Sequence, residues 1–296
     1  MTVAATSVPT PPGIRPLREK EFAAFQAFIY KEAGIFLSKV KQALLVGRLS
    51  RRVRELGLDS FAAYYDRVMD PRYPEERVEL INSICTHETH FFREPRQFEY
   101  LETVVLPQWR AQAEAGTRPR RVRAWSAGCS SGEEPFSIAM SLLASCPPSA
   151  GWSLEVVATD VSTRVLDRAR AAIWPLERAK HLPDAYLKRF MLRGHGEQQD
   201  KMKAGPEIRA AVRFEHLNLN SPSYELAGSF DLIFCRNVLI YFDTDSKERV
   251  IRQLLNRLTP DGLLFLGHAE TLSGFQDERG GTPRAVMPTI YTRAHR

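Results

Sequence analysis

The sequence predicts a chain in two parts: an all-α N-terminal domain, then a Rossmann-like α/β domain that carries a small inserted β-subdomain. Three observations predict it. From Glu19 to about Asn82 the apolar residues recur at helical spacing, enough for roughly four helices and no convincing strand. After Thr86, short apolar runs at 122–125, 154–158, 230–235 and 263–267 alternate with helical stretches, as in a parallel sheet. The segment from about Leu187 to Phe214 breaks that alternation, setting Gly194, Gly196 and Gly205 among polar residues, and so reads as a small hairpin insertion.

The boundaries follow. Residues 1–13 hold Pro9, Pro11 and Pro12 and are expected to trail as a disordered tail. The helical domain then runs over 14–85 and the α/β domain over 86–296, with the insertion at about 187–214. A length of 296 residues can bury the cores of two domains, and 44% hydrophobic with 26% charged residues is an ordinary globular composition. No run of eighteen apolar residues appears, and the first residues lack the basic-then-apolar order of a secretory signal, so a cytoplasmic protein is expected. Cys85, Cys129, Cys146 and Cys235 form no C-x-x-C pair and are read as reduced thiols. A net charge of +6 draws acidic partners, but no zinc-finger spacing, RNP-like motif or long basic tract supports a nucleic-acid module.

Within the helical part, a helix from about Ser38 to Leu56 places Leu45, Leu49, Val53 and Leu56 on one stripe. Lys41, Arg48, Arg51 and Arg52 occupy the adjoining sector, and Lys39 and Arg54 bring the segment to six cations against Glu55 alone. Either this is an ordinary solvated face, or Arg48, Arg51, Arg52 and Arg54 form a docking surface for an acidic partner.

In open α/β sheets, ligands sit beyond the carboxyl ends of the strands. The first strand runs into Ser126-Ala127-Gly128-Cys129-Ser130-Ser131-Gly132-Glu133-Glu134-Pro135, where Gly128 and Gly132 permit tight turns beside a ligand and Pro135 suits the first turn of the next helix. The G-x-G-x-x-G order is absent, and two glutamates stand where a dinucleotide enzyme would seat pyrophosphate. A cationic ligand fits better, and S-adenosylmethionine carries both an ammonium and a sulfonium. The plainer reading is that Glu133 and Glu134 only complement the helix dipole. Asp160 ends the second strand, where a carboxylate can accept hydrogen bonds from both ribose hydroxyls or, more simply, serve the next helix as an N-cap. Arg236 and Asn237 end the third strand. A buried-edge arginine there either bridges a structural carboxylate or addresses substrate.

Five motifs, T-H-E-T-H-F-F-R-E (86–94), S-x-G-E-E-P-F-S (130–137), A-T-D (158–160), F-C-R-N-V-L-I-Y-F (234–242) and G-H-A-E-T-L (267–272), resemble in that order the chemotaxis receptor glutamate methyltransferases of the CheR family. The likeness runs from about Phe22 to the end of the chain. It implies a class I S-adenosylmethionine-dependent methyltransferase that esterifies glutamates on the cytoplasmic signalling helices of chemoreceptors and releases S-adenosylhomocysteine. Carried over by motif, the cofactor contacts fall on His87, Thr89, Arg93, one or both of Glu133 and Glu134, Asp160, Asn218, Leu219, Arg236 and Asn237, with Arg93 and Tyr241 flanking the transferred methyl. His87 stands where relatives carry Asn, which weakens the transfer of that one contact. The family also implies that the insertion can grip a receptor tail tether in some members. A monomer without nucleic acid, membrane insertion or bound metal is expected. His87 and His90, three apart, do not make the H-E-x-x-H zinc motif. The alternatives are a methyltransferase for another protein or small molecule, and a catalytically silent adaptor that binds the cofactor or another nucleotide.

Overall fold

The computed structural model describes residues 12–276 and 280–293. Most of the expected tail, residues 1–11, lies outside them. The chain divides into two compact units, one of residues up to 86 together with 241–243, the other of 87–240 and 244–296.

The first unit holds four α-helices, α1 (Glu19–Ala33), α2 (Gln42–Glu55), α3 (Phe61–Met69) and α4 (Pro74–Ile84), the number the apolar spacing predicts. Their ends follow local chemistry. Gly34 closes α1 in the left-handed conformation, Ser60 Oγ accepts the Ala63 N–H at the start of α3, and Pro74 opens α4, where a missing N–H costs nothing. Phe25, Ile29, Leu45, Leu49, Val53, Phe61, Tyr64 and Leu80 are fully buried and make the core. α2 is shorter than the sequence suggests, because Lys39–Lys41 form a separate 3-10 turn before it, and Leu56 is only half-buried.

The second unit begins with α5 (Pro95–Tyr100) and α6 (Leu106–Glu114), joined by a π-helical turn at Leu101–Val105. Then come β1 (Arg121–Ala127), α7 (Glu133–Ser145), β2 (Ser153–Asp160) and α8 (Thr163–Ala171). A small three-stranded antiparallel sheet follows, made of β3 (Ile173–Pro175), β4 (Met191–Arg193) and β5 (Lys201–Ala204) in the order β3-β5-β4, with α9 (Asp184–Phe190) between its first two strands. After α10 (Pro206–Ala210) the chain returns to the main sheet through β6 (Val212–His216), β7 (Phe230–Cys235), α11 (Thr244–Asn256), β8 (Leu258–Leu266), β9 (Arg284–Met287) and β10 (Ile290–Thr292).

The main sheet has the order β6-β2-β1-β7-β8-β10-β9, parallel from β6 through β8 with an antiparallel β10-β9 edge. Every residue of β7 is buried, as expected of a parallel strand covered on both faces. The small sheet corrects the insertion limits of 187–214. It starts at Ile173, fourteen residues earlier, because the short Ile-Trp-Pro strand carries no alternation to mark it. It stops at Ala204, because Val212–His216 pairs in parallel with β2. Of the glycines there, Gly194 and Gly196 lie in the connection between β4 and β5, and Gly205 follows the last strand directly.

Candidate active site

The parallel register brings the loops after β1, β2, β6, β7 and β8 to one end of the main sheet. Three residues of the loop after β1 have left-handed backbones: Gly128 (φ 85°), Ser130 (φ 50°) and Gly132 (φ 97°). Gly128 must be glycine, since a Cβ there would lie 2.5 Å from Val238 Cγ2. Gly128 and Cys129 donate their N–H groups to the Thr159 carbonyl (2.8 and 2.9 Å), which ties this loop to the end of β2.

Asp160 sits in that junction, 8% exposed. Its Oδ2 accepts the Ser130 N–H and its Oδ1 the Ser162 N–H, both at 2.9 Å. It therefore braces two loops, and each oxygen retains capacity for a further donor. Burial pushes its pKa above the usual carboxylate value, opposed by those N–H bonds and by the nearby His87. The neighbouring Leu217 N–H donates to the Asp160 carbonyl (3.1 Å) and brings Asn218 and Leu219 beside it. Asn218 Oδ1 accepts the Asn220 N–H (2.8 Å), and the Leu219 carbonyl accepts from the Tyr224 hydroxyl (2.7 Å).

The two glutamates have different surroundings. Glu134 uses both oxygens internally: Oε1 accepts from Ser126 Oγ (2.6 Å) and Oε2 from Arg236 Nε (2.8 Å). Glu133 accepts from Ser131 Oγ (2.6 Å), and burial raises its pKa. Arg236 also donates to the Arg93 carbonyl (2.5 Å) and to Gln97 Oε1 (3.2 Å), with its side chain 1% exposed. Of the two readings of this arginine, the geometry favours the structural bridge. Gln97 in turn donates to the Leu266 carbonyl and to Thr289 Oγ1, both at 2.8 Å. A single network thus joins the linker at 87–94 to the ends of β7 and β8.

That linker is tightly kinked. Phe92 (φ 50°) and Glu94 (φ 58°) flank Arg93 in left-handed conformations, and the half-buried Arg93 side chain donates to the Glu88 carbonyl (3.0 Å). The Thr89 carbonyl accepts from Arg178 (2.9 Å), while His90 stacks on His181 at 4.5 Å. Trp174, on β3 of the small sheet, donates its indole N–H to the Ser131 carbonyl (3.2 Å), so the insertion supports the glycine loop directly. Tyr241 lies in the segment that belongs to the helical unit, where its carbonyl accepts the Phe36 N–H (2.8 Å).

Sequence reasoning missed Ser130, Gln97, Trp174 and Glu270. Glu270 was visible only as a letter in the last motif, and Gln97 had no local signal.

Two buried polar atoms at this end of the sheet, Ser130 Oγ and Asn237 Oδ1, have no hydrogen-bond partner among the described residues. Such atoms are rare unless a ligand or water meets them. With each Asp160 oxygen able to accept a further donor and Glu133 in no ion pair among the described residues, the acceptor set fits a ligand with ribose hydroxyls, a polar amine and net positive charge. It suits S-adenosylmethionine.

On α2 the four docking candidates also diverge. Arg48 donates to the carbonyls of Ile84 (2.5 Å) and Cys85 (2.7 Å) and to Thr86 Oγ1 (2.8 Å), closing the C-terminus of α4. Arg52 bridges the buried Glu76 at 2.5 Å. Both are therefore engaged in holding the helical unit together, with part of each side chain still exposed. Arg51, bridged to Glu55 at 2.7 Å with its side chain 85% exposed, and the exposed Arg54 remain at the surface.

A family model described as "CheR methyltransferase, SAM binding domain" matches residues 87–284, and one described as "CheR methyltransferase, all-alpha domain" matches residues 20–85. Chemotaxis protein methyltransferase 2 of Pseudomonas aeruginosa is 37% identical over 279 residues, covering 93% of both chains. The chemotaxis protein methyltransferase of Escherichia coli is 38% identical over 258 residues, covering 87% of this chain and 86% of its own. That of Borreliella burgdorferi is 35% identical over 278 residues, covering 94% and 95%. The carboxylate-rich site at the strand ends, the helical first unit and these matches along nearly the whole chain agree: the protein belongs to the CheR family of S-adenosylmethionine-dependent methyltransferases.

Proposed function

We propose that the protein transfers the methyl group of S-adenosylmethionine to glutamate side chains of chemoreceptors, making methyl esters. The observation that carries the reading is the convergence of Asp160, Glu133 and the unpartnered Ser130 Oγ and Asn237 Oδ1 at the carboxyl end of the sheet. In this reading Asp160 receives the ribose hydroxyls, and Glu133 receives the ammonium because both oxygens of Glu134 are occupied. Asn218, Leu219, Asn237, Thr89 and His87 line the remainder. Arg236 positions the linker through the Arg93 carbonyl and offers the cofactor no more than its backbone.

The bound donor supplies a methyl carbon activated by positive sulfur. The acceptor glutamate is already ionised near neutral pH, so no general base is required. One of its oxygens forms the new C–O bond as the C–S bond breaks, and the pair from that bond stays on sulfur. Charge disappears on the way to the products, so a tight ion pair to the incoming carboxylate would blunt it. Arg93, already donating to the Glu88 carbonyl, suits a partial orienting contact, and Tyr241 offers a neutral hydrogen bond. Holding the reacting atoms in line supplies about 7 kcal/mol or more.

The test is transfer of labelled methyl from S-adenosylmethionine to chemoreceptor-bearing membranes, followed by mild alkali. Base-labile label released as methanol is the expected result; donor binding without label on any receptor would overturn the acceptor assignment. In the same assay Tyr241→Phe should lower turnover about five- to tenfold, the worth of one neutral hydrogen bond, and leave donor affinity within twofold. Equal losses in both would remove Tyr241 from the transfer step.

The receptor surface we assign to the exposed part of α2 and the turn before it. Residues 34–54 contain six cations and no acidic residue. The outward stripe carries Val40 (88% exposed), Leu44, Gly47, Arg51 and Arg54, suited to an acidic, amphipathic receptor helix. Reversing Arg51 and Arg54 to Glu should cut receptor methylation at low salt about tenfold or more, with the difference fading as salt screens the attraction. Unchanged low-salt methylation would exclude this face. The outer edges of the small sheet are the place for a receptor tether, and the protein is proposed to act as a monomer in the cytoplasm. Among the described residues no helix is long and apolar enough to cross a membrane.

A further inference from the structure

Glu270 is 1% exposed, and its carboxylate collects four backbone N–H groups from two loops. Oε2 accepts from Gly267 (2.7 Å) and Asn237 (2.9 Å), and Oε1 from Leu239 (2.8 Å) and Val238 (3.0 Å). Three of those donors are consecutive, so the turn after β7 forms a concave nest of N–H groups, the kind of backbone that binds anions. Here the anion comes from the protein itself. The turn is held in a conformation that a non-glycine residue rarely adopts, with Asn237 at φ 59°. Its companion just after β8 is equally constrained, since a Cβ on Gly267 would lie 2.8 Å from both the Asn237 backbone nitrogen and Nδ2, and 2.9 Å from Glu270 Oε2. Asn237 Oδ1, in contrast, is buried and unpartnered.

We infer that Glu270 is a positioning residue for methyl transfer: by clamping the turn after β7 to the turn after β8, it fixes the left-handed Asn237 so that its side-chain amide meets the methyl donor. The inference rests on the proposed contact between Asn237 and S-adenosylmethionine. Among the described residues the Glu270 carboxylate hydrogen-bonds to backbone N–H groups alone, and it acts through Asn237. A carboxylate suits the task because each of its oxygens receives two N–H donors, whereas a carboxamide would turn an N–H2 group towards two of them.

The experiment is a double-mutant cycle on the full chain, read by S-adenosylmethionine Kd, by KM for donor and for receptor membranes, and by thermal unfolding. Glu270→Gln should raise donor Kd and KM at least tenfold, leave receptor KM within twofold and allow kcat to recover at saturating donor. Asn237→Ala should weaken donor binding similarly, and the double variant should be little worse than either single one, because both act through one contact. Glu270→Asp, which keeps the charge but is one methylene too short to reach all four donors, gives an intermediate loss and carries the cycle if the Gln variant does not fold. Additive effects in the cycle, or a lower unfolding temperature with donor affinity unchanged, overturn the inference alone. Unchanged donor affinity in Asn237→Ala overturns the site reading beneath it, and the inference falls with it.

Discussion

Arg236→Met is expected to lower the unfolding free energy by about 3–5 kcal/mol, the cost of removing one partner from a buried ion pair. The side chain it replaces is 1% exposed and donates to Glu134, to the Arg93 carbonyl and to Gln97. Without it the Glu134 carboxylate, 10% exposed, keeps only Ser126 as a donor among the described residues. The loss is read from urea unfolding followed by circular dichroism. Combining Arg236→Met with Glu134→Gln should recover a substantial part of it, since the second change removes the stranded charge. A loss below about 1 kcal/mol in the single variant would mean that the bridge does not hold the linker against α7, and Arg236 would return to the candidates for cofactor contact.

Asp160→Ala is expected to weaken S-adenosylmethionine binding more than about 100-fold. Two hydrogen bonds to a charged acceptor contribute roughly 1.5–3 kcal/mol each, and 1.4 kcal/mol is a factor of ten. Release of the Ser130 and Ser162 N–H groups loosens the loops on either side and adds to the loss. Calorimetric titration measures it, and an affinity within threefold of wild type would remove Asp160 from the site. A pH dependence accompanies this. Ribose hydroxyls donate, so binding needs the ionised carboxylate, and burial raises the Asp160 pKa above the usual value. Affinity should therefore be constant at higher pH and fall as pH drops through that raised value, earlier than for an exposed aspartate. Asp160→Asn should flatten the profile. For stability the sign is opposite: with a folded-state pKa above the unfolded one, the contribution is present below the unfolded pKa and is lost as pH rises through the folded one.

The parts of this protein that could be read from its sequence were those whose physics is local. The apolar spacing of α1 to α4 marks helices because each buries one stripe, and the continuous apolar run at 230–235 marks a strand because it is buried on both faces. Gly128 and Gly132 marked the ligand end because tight turns require them. Elements stabilised from afar left no such trace. Ile173–Pro175 is a strand only because Lys201–Ala204 pairs with it, and the insertion is read through to Phe214, into Val212–His216, because nothing in five residues says that Asp160 lies opposite His216. The same limit applies to charge. Arg48, Arg51, Arg52 and Arg54 look alike in sequence, yet Glu76 and the carbonyls ending α4 engage two of them within the helical unit. Glu133 and Glu134 were likewise inseparable until Arg236 was seen to occupy one.

The order of strands in the main sheet also sets a timetable. β1 lies between β2, which follows it closely along the chain, and β7, whose Leu232 pairs with Ala124. On the ribosome, at roughly 5–20 residues per second, β1 must wait several seconds for its second neighbour to be synthesised. Glu270 emerges later still, so the turn that holds Asn237 closes only some thirty residues after it has been made. The α1–α4 bundle, built mostly from contacts near in sequence, can form long before. A nascent chain stalled before residue 230 would thus present a folded helical unit beside an exposed, half-made sheet with β1 as its open edge. That intermediate is the one from which chaperones would have most to protect.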